Sequence, residues 1–99
     1  MTELPPLPET VYSILGPITV EVVETLQAED GEDCFGLWRP WEWKIGILAD
    51  VPLVVQWMTL KHEWIHATLW CAGTKVPTDV EERLCDALGS GMVAEMLNG

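Results

Sequence analysis

The pattern of apolar and polar positions divides this chain into a β-rich first half and a helical second half. Ile18 to Leu26 is rich in β-branched residues and partly alternates, which predicts a strand with one solvated face. Shorter β-prone runs lie at Val11 to Leu15, Phe35 to Trp38 and Trp43 to Leu48. We therefore predict a small antiparallel sheet of three or four strands, in which the acidic segment Gln27 to Cys34 forms a hairpin loop.

The second half begins with an apolar segment, Leu53 to Trp70, that contains neither glycine nor proline. Its apolar positions recur at helical spacing on nearly all sides, which predicts a helix covered on two faces. Asp50 is the candidate N-cap, Pro52 is acceptable in the first turn, and Gly73 marks the end of the helix.

A second helix is predicted to start at Thr78 or Asp79 and to run toward the C-terminus. The fold class that follows is α+β, with the small sheet packed on a buried helix and a C-terminal helix. We expect one domain over residues 1–99, of which the proline-rich residues 1–8 form an extended N-terminal arm.

The balance of charge limits the partners that this chain can attract. Sixteen acidic and five basic residues give a formal net charge of −11, while 48% of the residues are hydrophobic. That hydrophobic content indicates a folded chain, and the charge repels phosphate backbones and anionic membranes. We therefore expect no nucleic acid and no membrane as partner, but a protein or peptide, with the chain acting as a monomer or dimer.

The cysteines and the N-terminal segment bear on localisation. Cys34, Cys71 and Cys85 show no CxxC spacing, and the chain starts without the basic and apolar stretches of a signal peptide. Asp50 and the charged group from Lys61 to His66 interrupt the most apolar run, so no transmembrane span is predicted. We expect a cytoplasmic protein with reduced thiols.

Candidate chemistry lies in the middle of the first predicted helix, where His62, Glu63 and His66 form an HExxH motif. Residues four apart lie one above the other on a helix, so His62 and His66 can offer two imidazole nitrogens to one metal ion. Glu63 then lies where it can act as general base toward a metal-bound water. The chain contains only these two histidines.

The motif needs a third protein ligand, and without a further histidine a carboxylate must supply it. On the last predicted helix Glu81 lies within the apolar face and Glu82 at its edge, so Glu81 is the preferred ligand and Glu82 the alternative. That face is predicted to contain Val80, Leu84, Ala87, Leu88, Gly91 and Met92. Cys85 is expected to be a small buried hydrophobe, with a thiolate ligand as the alternative, and Asp79 and Asp86 are expected to stay in water.

The motifs also resemble a known group. The runs Ile-Leu-Gly-Pro-Ile-Thr-Val-Glu-Val, Phe-Gly-Leu-Trp, Lys-Ile-Gly-Ile, Thr-Leu-Lys-His-Glu-Trp-Ile-His-Ala and Val-Glu-Glu-Arg-Leu-Cys-Asp-Ala-Leu are similar to those of small HExxH proteins of bacteriophages and prophages. These are relatives of the ImmA/IrrE-type zinc metallopeptidases, with a reduced gluzincin-like core. The resemblance covers the chain from about Ile14 to Leu97. It would place the protein in the cytoplasm of a bacterial host.

The resemblance implies one Zn²⁺ per chain, held by His62, His66 and a glutamate of the Glu81-Glu82 pair, with Glu63 as general base. It also implies that the strand Trp43 to Leu48 lines the substrate cleft. The chain departs from the larger ImmA/IrrE-type proteins in lacking their helix-turn-helix and extra domains. It also lacks their usual Asn and Phe-Ala pattern in the helix after the third ligand.

The function predicted from these features is hydrolysis of a peptide bond by a zinc metallopeptidase. One alternative is a non-catalytic, zinc-stabilised binding or regulatory protein, and another is hydrolysis of a non-peptide amide such as a cell-wall fragment. Tyr12, Arg39, Lys44 and the tryptophan N–H groups all remain candidates for stabilising the oxyanion. The corner Trp38-Arg39-Pro40-Trp41 is the candidate binding surface, because a broken strand should leave a ring exposed.

Overall fold

The computed structural model describes residues 3–99 and contains a four-stranded sheet and two long helices. The elements in chain order are β1 (Thr10–Ser13), β2 (Gly16–Val23), β3 (Gly36–Arg39), β4 (Lys44–Leu48), α1 (Leu53–Cys71) and α2 (Thr78–Asn98). A 3-10 turn, Pro40–Glu42, separates β3 from β4. The predicted α+β class is confirmed. Neither helix in this part of the chain is long and apolar enough to cross a membrane.

The sheet is mixed rather than antiparallel, which corrects the prediction. Its strand order is β1-β2-β4-β3, and the central pair β2 and β4 runs parallel from Thr19 opposite Lys44 to Val23 opposite Leu48. The outer pairs are antiparallel. The sequence pattern predicted strands but not their neighbours, and β4 takes the interior position because three consecutive residues, 45–47, are buried.

The segment between β2 and β3 packs on the sheet through Leu26 and then forms a closed loop. β2 ends at Val23, earlier than predicted, and Leu26 packs against the β4 backbone at Gly46. Gln27 then bridges Asp33, and the Cys34 N–H donates to the Leu26 carbonyl at 3.1 Å. The predicted hairpin loop thus closes on itself instead of joining two paired strands.

The hydrophobic core lies between the sheet and α1. Its buried members include Ile18, Ile45, Ile47, Trp57 and Leu60. Met1 and Thr2 of the predicted N-terminal arm lie outside the described residues, and residues 3–8 have no regular secondary structure. The arm nevertheless covers the core, because Leu4 and Leu7 pack against it and Trp57 Nε1 donates to the Pro5 carbonyl at 2.7 Å.

The start of α1 differs from the prediction, since Pro52 and not Asp50 occupies the N-cap and no side chain caps the helix. The Pro52 carbonyl accepts the N–H groups of Val55 and Gln56 at 3.0 Å. The Gln56 side chain in turn donates to the carbonyls of Ala49 and Val51, so these contacts fix the entry without a carboxylate cap.

The buried face of α2 also differs from the prediction. Cys85, Gly89 and Val93 are buried, whereas Leu84 and Leu88 are exposed. The reason is the close approach of α1, because a Cβ at Gly89 would lie only 3.2 Å from the His62 backbone nitrogen. Small residues at helical spacing therefore face α1, and larger apolar residues are turned away from it.

Candidate metal centre

The imidazole rings of His62 and His66 lie next to each other on one face of α1. Leu60, Ile65 and Ala67 bury the helix against the rest of the fold, which leaves the imidazoles of His62 and His66 on the side facing α2. The two Nε2 atoms are 3.2 Å apart. Both rings are largely buried.

Three carboxylates from the first turns of α2 surround the two rings. Glu82 reaches both Nε2 atoms, with Oε1 at 2.9 Å from His66 and Oε2 at 3.3 Å from His62. Glu81 Oε2 lies 2.5 Å from His66 Nδ1, and Asp86 Oδ1 lies 2.8 Å from His62 Nδ1. Asp86 stays largely in water, as the sequence predicted, since its side chain is 74% exposed, but it does not point away from the site because its Oδ1 contacts the His62 imidazole.

The imidazoles and carboxylates of this cluster offer more hydrogen-bond acceptors than donors. Ionised carboxylates only accept, so each contact needs a proton on the imidazole nitrogen that faces the carboxylate. A neutral ring carries one proton, so when Nδ1 donates to Glu81 or Asp86 the two Nε2 lone pairs face each other and the Glu82 oxygens. Cations satisfy such a cluster of acceptors, and the spacing suits zinc. Ligands at 2.0–2.1 Å from a tetrahedral zinc are about 3.3 Å apart.

Cys85 adds a third metal-binding side chain close to the histidines. Its Sγ and the ligand nitrogens of His62 and His66 lie within 4.8 Å of one another, so these three residues could hold a metal ion. The thiol is buried, as the sequence predicted. Burial, followed by the nearby carboxylates of Glu81 and Glu82, raises the pKa of Cys85 to about 12, so the free thiol stays protonated.

Glu63 lies between the histidines and the edge strand β3. Its Oε1 accepts the Trp38 backbone N–H at 3.1 Å, and its Oε2 lies 3.8 Å from His62 Nε2. Burial raises the pKa of this carboxyl group, against the opposing effects of His62, His66 and the Trp38 N–H. β3 can approach so closely because it has Gly36 there, where a Cβ would clash with the Thr59 side chain and lie 3.1 Å from Glu63 Cγ.

Two clefts meet at Glu63. The first cleft, of about 390 Å³, is lined among others by Phe35, Gly36, Met58, His62, Glu63 and Asp86. The second cleft, of about 260 Å³, is lined by Leu37, Trp38, Glu63, His66, Trp70, Thr74 and Glu81. The expectation that residues 43–48 line the cleft is wrong, because β4 lies inside the sheet and β3 forms the edge.

The tryptophan corner leads into the second cleft. Trp41 is 86% exposed, which confirms that the break after β3 leaves a ring in solvent. Its ring contacts Trp70 edge-to-face at 6.3 Å between centroids, and Trp70 makes similar contacts with Trp38 and Trp43. Sequence reasoning did not single out Trp70, although it follows His66 by four residues on α1 and therefore shares its face.

Of the residues considered for stabilising the oxyanion, Arg39, Lys44 and Tyr12 lie away from the two clefts. Arg39 lies 3.8 Å from Glu42, and Lys44 lies 3.4 Å from Glu21. Neither of these cations nor Tyr12 lines the two clefts, whereas Trp38 lines the second cleft. Among residues 3–99, the Trp38 Nε1 is a buried donor without a hydrogen-bond partner.

No protein-family model, curated protein or solved structure matches this chain. The function is therefore inferred from the chemistry of the site itself.

Proposed function

We propose that this protein is a zinc-dependent metallopeptidase that binds one Zn²⁺ through His62, His66 and Glu82. The observation that carries the proposal is the convergence of two imidazole Nε2 atoms and one carboxylate at zinc-like spacing, beside a further carboxylate on Glu63. This assignment exchanges the roles expected for the two glutamates. Glu81 contacts the outer nitrogen of His66, so it orients that ring instead of binding the ion.

The outer carboxylates complete this proposed zinc site. A metal-binding histidine commonly donates its second N–H to a carboxylate, which fixes the tautomer and the ring orientation. Glu81 has this position at His66, and Asp86 has it at His62. Both rings are thereby prepared to offer Nε2 to the metal.

In the proposed reaction Glu63 moves the proton. Zinc, when bound, lowers the pKa of a water in its open position and polarises the scissile carbonyl. Glu63 Oε2 takes a proton from the attacking water and later gives it to the nitrogen of the leaving amine, while Oε1 is held by the Trp38 N–H. The raised pKa of this carboxyl group suits both transfers, since a general base and acid works best near the operating pH.

The experiment that tests this proposal separates catalysis from metal binding. We expect Glu63→Gln to lower the cleavage of a peptide library by about 10²–10⁴-fold while zinc content stays near that of the wild type, because the proton acceptor is lost but no ligand is. Glu95→Gln, at an exposed position of α2, is the matched control. Full activity in Glu63→Gln, or no cleavage by the zinc-loaded wild type, would contradict the proposal.

One observation favours a non-catalytic, zinc-stabilised protein as the second candidate. The Cys85 Sγ lies within 4.8 Å of the ligand nitrogens of both histidines, so a thiolate there would add a ligand to His62 and His66 and take the position that a catalytic site keeps open for water. Replacing zinc by Co²⁺ distinguishes the two candidates. A strong thiolate-to-cobalt charge-transfer band that Cys85→Ser abolishes would support the structural site, whereas the peptidase proposal expects no such band.

A further inference from the structure

We infer that the second cleft is a specificity subsite for an arginine or lysine side chain of the substrate. The inference rests on the proposed peptidase function, because it names the substrate class of the same site. It is carried by the aromatic walls and carboxylates of this cleft, which no lysine or arginine of the described residues lines.

The charge around the second cleft favours a cation. Glu63 and Glu81 line it, and no lysine or arginine among residues 3–99 does. Glu82 and Asp86 contact the imidazole of His62 and add two more carboxylates beside the two that line the cleft. The chain as a whole has a formal charge of −11, so a basic substrate is attracted both over distance and at contact.

The walls of the cleft suit the apolar stem and the charged head of a basic side chain. The rings of Trp38 and Trp70 form one wall, and Trp70 is 45% exposed. Trp41, which contacts Trp70, extends this aromatic surface into solvent. A guanidinium or ammonium group over such a ring gains a cation–π interaction, while its methylene stem packs on the indole.

The size and position of the second cleft indicate which part of a substrate would bind there. A volume of about 260 Å³ holds one side chain and not a folded domain. His66 and Glu63 border the same cleft, so a side chain bound there belongs to a residue next to the bond that is cut. The occupant is therefore a basic residue flanking the scissile bond of a polypeptide.

Labelled peptides that differ at one position test the inference. A neutral peptide is scanned with arginine, lysine, citrulline, leucine or glutamate, and binding to the metal-free wild type, which keeps Glu63 but lacks the ion that cleavage needs, is measured by fluorescence anisotropy. We expect arginine and lysine to bind about 3- to 30-fold more tightly than citrulline, the neutral isostere of arginine. The preference should weaken as salt is raised.

Matched variants locate the preference in this cleft. Thr74→Lys places a cation in its exposed wall and should reduce arginine binding about fivefold, whereas Thr74→Gln should not. Trp70→Leu should remove most of the preference, whereas Tyr12→Leu, which removes an exposed aromatic ring from β1, should retain it. Because Thr74 is exposed, its variants test the subsite even where Trp70→Leu folds poorly.

The outcomes separate this inference from the proposed catalysis. Selective binding of arginine peptides that the wild type never cleaves would leave the subsite standing and refute the peptidase. Cleavage that is indifferent to arginine, lysine and citrulline would overturn the subsite and leave the peptidase standing. Equal binding of Thr74→Lys and Thr74→Gln to the arginine peptide would also overturn it.

Discussion

At the scale of single residues, each imidazole of the site has one nitrogen facing inward and one held by a carboxylate. Asp86 holds His62 at 2.8 Å, so removing its charge should leave the ring less well oriented and less basic. We expect Asp86→Asn to lower zinc affinity about 10- to 100-fold, measured by competition with a chelator. Asp79→Asn is the control, because Asp79 lies near Arg83 on the exposed side of α2. Equal zinc affinity in the two variants would exclude this role for Asp86.

The buried carboxyl group of Glu63 suits catalysis but lowers the stability of the fold. Burial raises its pKa in the folded protein, so its ionised form disfavours folding. This cost is absent below the ordinary pKa, develops as pH rises through the folded pKa and is complete above it. We therefore expect metal-free Glu63→Gln to melt at a higher temperature than the wild type at about pH 8, with the difference vanishing near pH 4.

Calorimetry across that pH range checks this expectation. Glutamine keeps an oxygen for the Trp38 N–H, so the substitution removes the charge and not the hydrogen bond. Glu95→Gln serves again as the control for loss of an exposed acidic residue. A melting temperature of Glu63→Gln below that of the wild type at about pH 8 would show that the buried carboxylate is stabilised by its surroundings.

At the scale of elements, the metal centre depends on how closely α1 and α2 approach. A Cβ at Gly89 would lie 3.2 Å from the His62 nitrogen, whereas a Cβ at Gly91 would meet nothing within 4 Å. Alanine in an exposed helix position is favoured over glycine by about 0.5–1 kcal/mol, so Gly91→Ala should stabilise the protein. Gly89→Ala should forfeit this gain and weaken zinc binding, because it pushes the ligands of the two helices apart.

Thermal unfolding and zinc titration of the two alanine variants provide the comparison. Both substitutions are on the same helix and add the same methyl group, so the difference between them isolates the helix contact. If Gly89→Ala bound zinc as tightly as Gly91→Ala, the approach of the two helices would not determine the geometry of the site.

The elements also show where sequence reasoning succeeds. The strands, the helix ends near Gly73 and Thr78 and the exposure of Trp41 follow from local chemistry and were predicted. The parallel pairing of β4 with β2 depends on a choice between neighbours that the strand pattern does not encode. The face of α2 was misjudged for a similar reason, since the size of Gly89 matters more there than the hydrophobicity of Leu84 and Leu88.

At the scale of the whole molecule, a 99-residue chain with a formal charge of −11 places four of its sixteen acidic side chains around two histidines. The sequence identified His62, Glu63 and His66 as a group, because a fixed spacing on one helix places them on neighbouring positions. It did not decide between Glu81 and Glu82, because that choice depends on the rotation of α2 about its own axis. The structure brings both glutamates to the histidines, but at different nitrogens.

A metal shared by α1 and α2 would also link the two helices across their interface. Ligands from both helices make zinc binding part of the folding free energy, which matters in a small domain with a limited core. Zinc binding at the proposed site would therefore contribute to stability as well as to catalysis, and both effects depend on which residues are the ligands.

Zinc content is the measurement that tests the identity of the ligands most directly. After zinc supplementation and dialysis, elemental analysis of the wild type should give about one zinc per chain. His62→Ala, His66→Ala and Glu82→Gln should lose the metal, whereas Glu81→Gln should retain most of it. A wild type without stoichiometric zinc, or a Glu82→Gln variant that keeps it while Glu81→Gln loses it, would contradict the account.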